Sequence, residues 1–159
     1  GVGAFGDAAE KLRQNNLDKV VIEEAENGKP LLGICLGMQM LFEKSFEYGE
    51  HKGLGLIKGE VVPMQGKIPE NLKIPHIGWN ALKFHKTSPI FKYIDEGDCV
   101  YFVHSFYAEN CEDSLIATAE YGKDLTAAVG RDNIFGCQFH PEKSGDVGLK
   151  ILKAFCELE

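Results

Sequence analysis

The sequence predicts an α/β domain, a mixed sheet flanked by helices, on three observations. The apolar run Pro30–Ile34 passes through Gly33-Ile34-Cys35-Leu36-Gly37 into the helix-like Met38–Lys44, a sharp strand-to-helix turn. From Gly59 to Phe139, short apolar segments of strand character recur between turn residues. The chain then closes on Val147–Leu158, whose apolar residues repeat at helical spacing.

Taken in order, Phe5–Asn15 reads as a first helix. Leu17, Val20, Val21 and Ala25 give the i, i+3, i+4, i+8 stripe of a second, which stops at Asn27-Gly28. After the elbow strand and the Met38–Lys44 helix, Ser45–Gly55 is polar and glycine-rich and is expected to be a mobile surface loop near the site. Strands are expected at Gly59–Val62, Trp79–Phe84, Val100–Phe106, Leu115–Tyr121, Thr126–Arg131 and Ile134–Phe139, with a short helix around Pro89–Tyr93. In the last helix Leu149, Leu152, Ala154, Phe155 and Cys156 are expected to face the core. There is no internal repeat.

Composition bounds the function. At 159 residues and 44% hydrophobic content the chain can fill one core, so residues 1–159 are read as a single domain. No apolar stretch is long enough to span a bilayer and no basic-then-apolar leader opens the chain, which points to a soluble, cytoplasmic protein. The formal charge of −7, without a Lys/Arg cluster, argues against nucleic acid, whose phosphates need cations. Five cysteines without a Cys-x-x-Cys pair read as reduced thiols rather than a disulfide framework.

The chemistry starts at Cys35. A tight strand-to-helix turn pushes one side chain outward, and flanking glycines let the backbone fold around it. Cys35 is therefore expected to be presented to solvent. The helix that follows aims free N–H groups and its positive dipole end at the sulfur, which favours the thiolate. A nucleophile of this kind needs a base. In Phe135-Gly136-Cys137-Gln138-Phe139-His140-Pro141-Glu142 a strand stops at a proline, placing His140 at its mouth and Glu142 within reach of the other ring N–H. Cys35 and His140 are each expected at the carboxyl end of a strand, where ligands gather in open α/β sheets.

These residues resemble those of the triad, or class I, glutamine amidotransferases. General to that family are Gly33-Ile34-Cys35-Leu36-Gly37-Met38-Gln39 and Gln138-Phe139-His140-Pro141-Glu142. Pro75-His76-Ile77-Gly78-Trp79-Asn80, Tyr101-Phe102-Val103-His104-Ser105-Phe106 and Lys143-Ser144 resemble the branch that serves histidine biosynthesis. The resemblance runs from the first residue to the last and implies a flavodoxin-like mixed sheet.

It also implies roles. Cys35 attacks the carboxamide carbon of glutamine, His140 shuttles protons and Glu142 orients it, through a thioester intermediate. The backbone N–H of Leu36 and that of Val2 form the oxyanion hole. Gly3, Gln39, Ser105 and Phe106 hold the amino-acid end of glutamine. Trp79, Asn80 and Tyr101 face a partner, a cyclase subunit of TIM-barrel fold that receives the ammonia. No metal and no cofactor is implied. Family members open on two βα units and a strand leading into Pro-Gly-Val-Gly, of which Gly1-Val2-Gly3 is present here. The expectation is that the family's N-terminal strands lie outside this sequence. The 159 residues alone would then leave strand edges open and lack a stable active form.

Three rival readings are weaker. Gly1-Val2-Gly3-Ala4-Phe5-Gly6 is formally G-x-G-x-x-G, with Glu23 near the place of a ribose-binding acid, but no strand precedes it and Val20–Glu26 reads as helix. A metal site from Cys35, Cys137, His140 and Glu142 fails because Cys137 and His140 have opposite parity on one strand. A pure binding module with idle residues is disfavoured by the complete Cys, His and Glu set.

Overall fold

The computed structural model describes residues 4–158. Two short helices come first, α1 (Phe5–Gln14) and α2 (Leu17–Glu26), joined through Asn16 in the left-handed region at φ 56°. Asparagine tolerates that conformation better than most residues. There follow β1 (Leu31–Ile34), α3 (Leu36–Met40), β2 (Lys44–Ser45), β3 (His51–Lys52), β4 (Glu60–Pro63), β5 (His76–Ala81), β6 (Lys83–Phe84), β7 (Cys99–His104), β8 (Phe106–Glu109), β9 (Leu115–Glu120), β10 (Asp124–Arg131), β11 (Ile134–Cys137) and α4 (Gly145–Cys156).

The strands form a five-stranded sheet in the order β1-β11-β10-β9-β6, a four-stranded sheet β3-β2-β4-β8 and the pair β5-β7. The first is mixed: β1 lies parallel to β11, and its other pairings are antiparallel. Among the described residues β1 is paired on one side only. The core sits where Val100 and Phe102 of β7 meet Phe135, Phe139 and Ile151 of α4. A second cluster packs Met38, Leu41 and Phe42 on Ile57 and Val61, and α1 buries Phe5 and Ala9 against Leu36 and Met40.

Several expected boundaries move. The α3 helix ends at Met40 rather than Lys44, because Lys44 and Ser45 are drawn into β2 beside β4. Ser45–Gly55 is not a free loop: β2 and β3 pair within it, and Glu47 Oε1 accepts the Phe5 N–H at 2.8 Å. Trp79–Phe84 breaks at the buried Leu82, with β5 joining β7 and β6 joining β9. Val100–Phe106 likewise splits at Ser105, and Phe106 enters a different sheet beside Pro63. In α4, Leu149 is 63% exposed and Cys156 is exposed, contrary to expectation, while Gly148, Ile151 and Ala154 form the buried stripe. Gly148 sets that face. A Cβ there would fall on the Pro141 carbonyl, so the helix approaches by its smallest residue.

Candidate active site

Cys35 stands where β1 gives way to α3, with φ 53° and ψ −109°. L-residues rarely occupy that region, and holding one there costs roughly 1–3 kcal/mol. The Cys35 N–H still bonds Cys137 O at 2.7 Å, so the β1–β11 ladder runs up to the elbow. Gly33 makes the turn possible, since a Cβ there would lie 2.6 Å from the Gly37 carbonyl oxygen. At Gly37 a Cβ would meet nothing within 4 Å, so packing demands only the first of the two glycines.

The thiol is less presented than expected. Cys35 is 9% exposed; its Sγ donates a long hydrogen bond to Val103 O at 3.9 Å, and Gln138 Nε2 donates to it at 3.7 Å. Burial pushes the thiol above its ordinary range, against the pull of the Leu36 N–H and the Gln138 amide. The helix expected to favour the thiolate is only five residues long, and desolvation outweighs it.

Because β1 and β11 are parallel neighbours, Cys35 and the segment leading to His140 leave the sheet at the same carboxyl edge. His140 is 1% exposed, and its Nδ1 lies 2.8 Å from Glu142 Oε2. A carboxylate only accepts, so Nδ1 carries a proton, and Nε2 is the ring nitrogen turned away from Glu142. That Nε2 is buried without a hydrogen-bond partner among the described residues. An orphan of this kind costs about 1–3 kcal/mol, which a ring built only for structure would not retain. No hydrogen bond joins Sγ to Nε2 here; the thiol bonds β7 instead.

The main chain of His140 is clamped to β7. Its N–H bonds Tyr101 O at 2.9 Å, while Ser144 Oγ accepts the Tyr101 N–H at 3.0 Å and donates to His140 O at 2.6 Å. Thus β7 offers Tyr101 O to the base and Val103 O to the thiol. Leu36 follows the elbow, and its N–H points at the sulfur. Val2 and Gly3 lie outside the described residues. Gln39 is buried, its Nε2 donating to Phe106 O at 3.2 Å and Gln138 Oε1 at 3.1 Å. Ser105 O accepts the Met64 N–H at 3.0 Å. The carbonyls of Ser105 and Phe106 are therefore already engaged within the chain.

Of the three residues assigned to a partner face, two share one surface. Trp79, 59% exposed, sits opposite Tyr101 across the β5–β7 pair with ring centroids 6.0 Å apart. Asn80 lies on the other face of β5 and bonds inward to His76 and to Glu120 O. Sequence reasoning did not assign roles to Gln138, Ser144, His76 or His104. Gln138 and Ser144 flank the His-Pro-Glu run in sequence, and that adjacency is the signal that could have found them.

The comparisons with known proteins agree with one another. A family model described as Glutamine amidotransferase class-I matches residues 2–157. The chain is 53% identical to the "Imidazole glycerol phosphate synthase subunit HisH" of Wolinella succinogenes, covering 99% of this chain and 78% of that protein. Its identity to the subunit of the same name in Lactococcus lactis is 54%, over 99% and 76%. Among solved structures it is similar in fold to a glutamine amidotransferase from Thermotoga maritima, with a TM-score of 0.65, 18% identity, and coverage of 99% of this chain and 60% of that one.

Proposed function

The chain belongs to the class-I glutamine amidotransferase family, and we propose that it works as the glutaminase subunit of an imidazole glycerol phosphate synthase. In this reading residues 1–159 are one glutaminase domain. The observation that carries the mechanism is the pair formed at the sheet's carboxyl edge: a strained Cys35 elbow, and a buried His140 whose Nε2 has no hydrogen-bond partner among the described residues.

Glutamine enters above Cys35. Sγ attacks the carboxamide carbon while His140 Nε2 takes the thiol proton, and Glu142 holds the imidazolium through Nδ1. The resulting oxyanion faces the Leu36 N–H, with Val2 as the second donor; losing one such donor costs about 3 kcal/mol of transition-state stabilisation. The intermediate collapses as His140 returns its proton to the leaving nitrogen, releasing ammonia and leaving a glutamyl thioester on Sγ. Water deprotonated by Nε2 then cleaves the thioester to glutamate and restores the thiol. Glutamine's amino-acid end is assigned to Gly3 and the main chain around Ser105, because Gln39 Nε2 and the Phe106 carbonyl are already engaged within the chain.

The released ammonia passes to a TIM-barrel cyclase subunit docked on the Trp79 and Tyr101 surface. There it completes the synthesis of imidazole glycerol phosphate and aminoimidazole carboxamide ribotide. Direct transfer keeps it unprotonated. The five free cysteines, two of them exposed, fit a reducing, cytoplasmic compartment. The raised thiol pKa and the bond from Sγ to Val103 O support a poorly active isolated subunit, which the loaded cyclase stimulates by a population shift.

The test is glutamate release by the full-length chain, wild type against Cys35→Ala, with and without the cyclase. Cys35→Ala is expected to abolish release, and the cyclase to raise the wild-type rate. Persistent release by Cys35→Ala would overturn the nucleophile, and equal hydrolysis with and without the cyclase would overturn the coupling.

A further inference from the structure

An unbroken series of hydrogen bonds runs from β5 to the Cys35 sulfur, through side chains to which the mechanism gives no catalytic step. Asn80 Nδ2 lies 3.4 Å from His76 Nε2, His76 Nδ1 lies 3.0 Å from His104 Nε2, and His104 Nδ1 lies 2.9 Å from Phe106 O. From the other side Gln39 Nε2 donates to the same carbonyl at 3.2 Å and to Gln138 Oε1 at 3.1 Å, and Gln138 Nε2 reaches Sγ at 3.7 Å.

The direction of every bond is fixed by chemistry. A carbonyl can only accept, so His104 Nδ1 carries the proton and His104 Nε2 is a bare acceptor. His76 Nδ1 must then donate, which leaves His76 Nε2 to accept from Asn80. The two amides are oriented in the same way: Gln39 donates twice, so Gln138 presents Oε1 to it and keeps Nε2 for the sulfur. No link can be reversed without breaking its neighbour.

His76, His104, Gln39 and Gln138 are buried, and His76 is stacked between Tyr121 and Phe102 at centroid distances of 4.1 and 4.9 Å. Burial lowers His76 to about 4 and His104 to about 3, so both rings are neutral and their tautomers stay as assigned. Replacing both partners of a buried hydrogen bond by apolar groups of the same shape can be nearly neutral in stability. A directional polar chain ending on a nucleophile calls for another reason.

We propose that His104, held by His76, is a positioning residue for glutamine hydrolysis: it fixes the Phe106 carbonyl, through which Gln39 and Gln138 hold the Cys35 sulfur in line. The proposal rests on Cys35 being the nucleophile. It makes His104 distinct from a packing residue, because its effect passes through Gln138 and falls on turnover. The bonds that Tyr101 O and Val103 O of β7 make to His140 N–H and Cys35 Sγ do not involve the His76 and His104 side chains.

The experiment uses the full-length chain assembled with its cyclase and measures kcat and KM for glutamine. The pH dependence of Cys35 alkylation by iodoacetamide is followed by mass spectrometry of the Cys35 peptide. His104→Phe keeps a ring and removes both hydrogen bonds. It is expected to lower kcat at least tenfold, change KM less than threefold, and move the alkylation midpoint upward. Gln138→Leu is expected to do the same, and the double variant to fall no more than twofold below Gln138→Leu alone. A kcat for His104→Phe within twofold of wild type, or effects that multiply in the double variant, would overturn the proposal.

If His104→Phe does not fold, His104→Asn and His104→Gln decide the matter. Asparagine puts its amide N–H at the place of Nδ1 and keeps the bond to Phe106 O; glutamine puts it at the place of Nε2. The asparagine variant is expected to retain at least fivefold more kcat, and equal or reversed values would overturn the proposal. Cys35→Ala in the same assembly separates the two failures. If it still releases glutamate, the reading of Cys35 falls and the relay falls with it. If it is inactive while His104→Phe is normal, only the relay falls.

Discussion

Ser144→Ala removes a hydroxyl that ties the base to β7. Two bonds are lost, the Tyr101 N–H to Oγ at 3.0 Å and Oγ to the His140 carbonyl at 2.6 Å. Ser144 is 1% exposed, so water does not take the place of the missing oxygen. An amide N–H left buried and unpaired costs about 1–3 kcal/mol, and the second bond adds about 1 kcal/mol net. The sum is a loss of roughly 2–4 kcal/mol, with almost no packing change, since alanine retains the Cβ. Urea denaturation of the full-length chain should show a lower midpoint at unchanged m-value. Glutamate release in the presence of the cyclase should fall at least tenfold in kcat with little change in KM, because the segment carrying His140 loses an anchor and not a substrate contact. A stability loss below about 0.5 kcal/mol together with wild-type kcat would refute the idea that this clamp sets the position of the base.

Three further outcomes are expected. Gly33→Ala sets a Cβ 2.6 Å from the Gly37 oxygen and 2.8 Å from the Met38 nitrogen, and backbone cannot yield as a side chain tip can. It should cost more than about 3 kcal/mol, whereas Gly37→Ala should fold normally by circular dichroism. On acidification, His76 and His104 refuse protons that they accept at about pH 6.5 once unfolded, being lowered in the native state to about 4 and about 3. Stability should therefore be flat in this respect above pH 7 and fall as pH drops from about 6.5 toward 4, by up to about 1.4 kcal/mol per pH unit for each histidine. A Phe substitution at either position should flatten that slope in urea titrations; an unchanged slope would contradict the assignment. Trp79→Ala, at a side chain 59% exposed, should change stability by less than about 1 kcal/mol yet weaken cyclase binding at least tenfold by calorimetry. Unchanged affinity would remove the aromatic face from the interface.

The parts of the fold legible in the sequence are those written in local sterics. The elbow could be read because Gly33 and the apolar runs on either side leave a strand-to-helix turn little alternative, and Cys35 does take up a strained φ there. The pairing of His140 with Glu142 could be read because a carboxylate two residues away can reach the ring, whereas β11 ends at Cys137 and not at the expected Phe139. What could not be read depends on partners distant in sequence. Val100–Phe106 is continuous in its apolar character, so nothing local announces that the chain changes sheets at Ser105. Periodicity counts hydrophobes and so turns Leu149 inward, while α4 is in fact seated by Gly148, the residue such a count ignores. The burial of the Cys35 thiol follows from Val103 and Gln138, which approach from 68 and 103 residues away. The His76–His104 contact spans 28 residues and brings together two strands whose pairing no short motif specifies.

Acid-quenched turnover with isotopically labelled glutamine tests the nucleophile most directly. The assembled enzyme is mixed with substrate, quenched within the first turnover and digested, and the Cys35 peptide is weighed by mass spectrometry. A glutamyl thioester on Cys35 is expected, released by hydroxylamine and absent from Cys35→Ala. Undiminished glutamate production with no label on that peptide would contradict covalent catalysis at Cys35 and remove the basis for the roles given to His140 and Glu142.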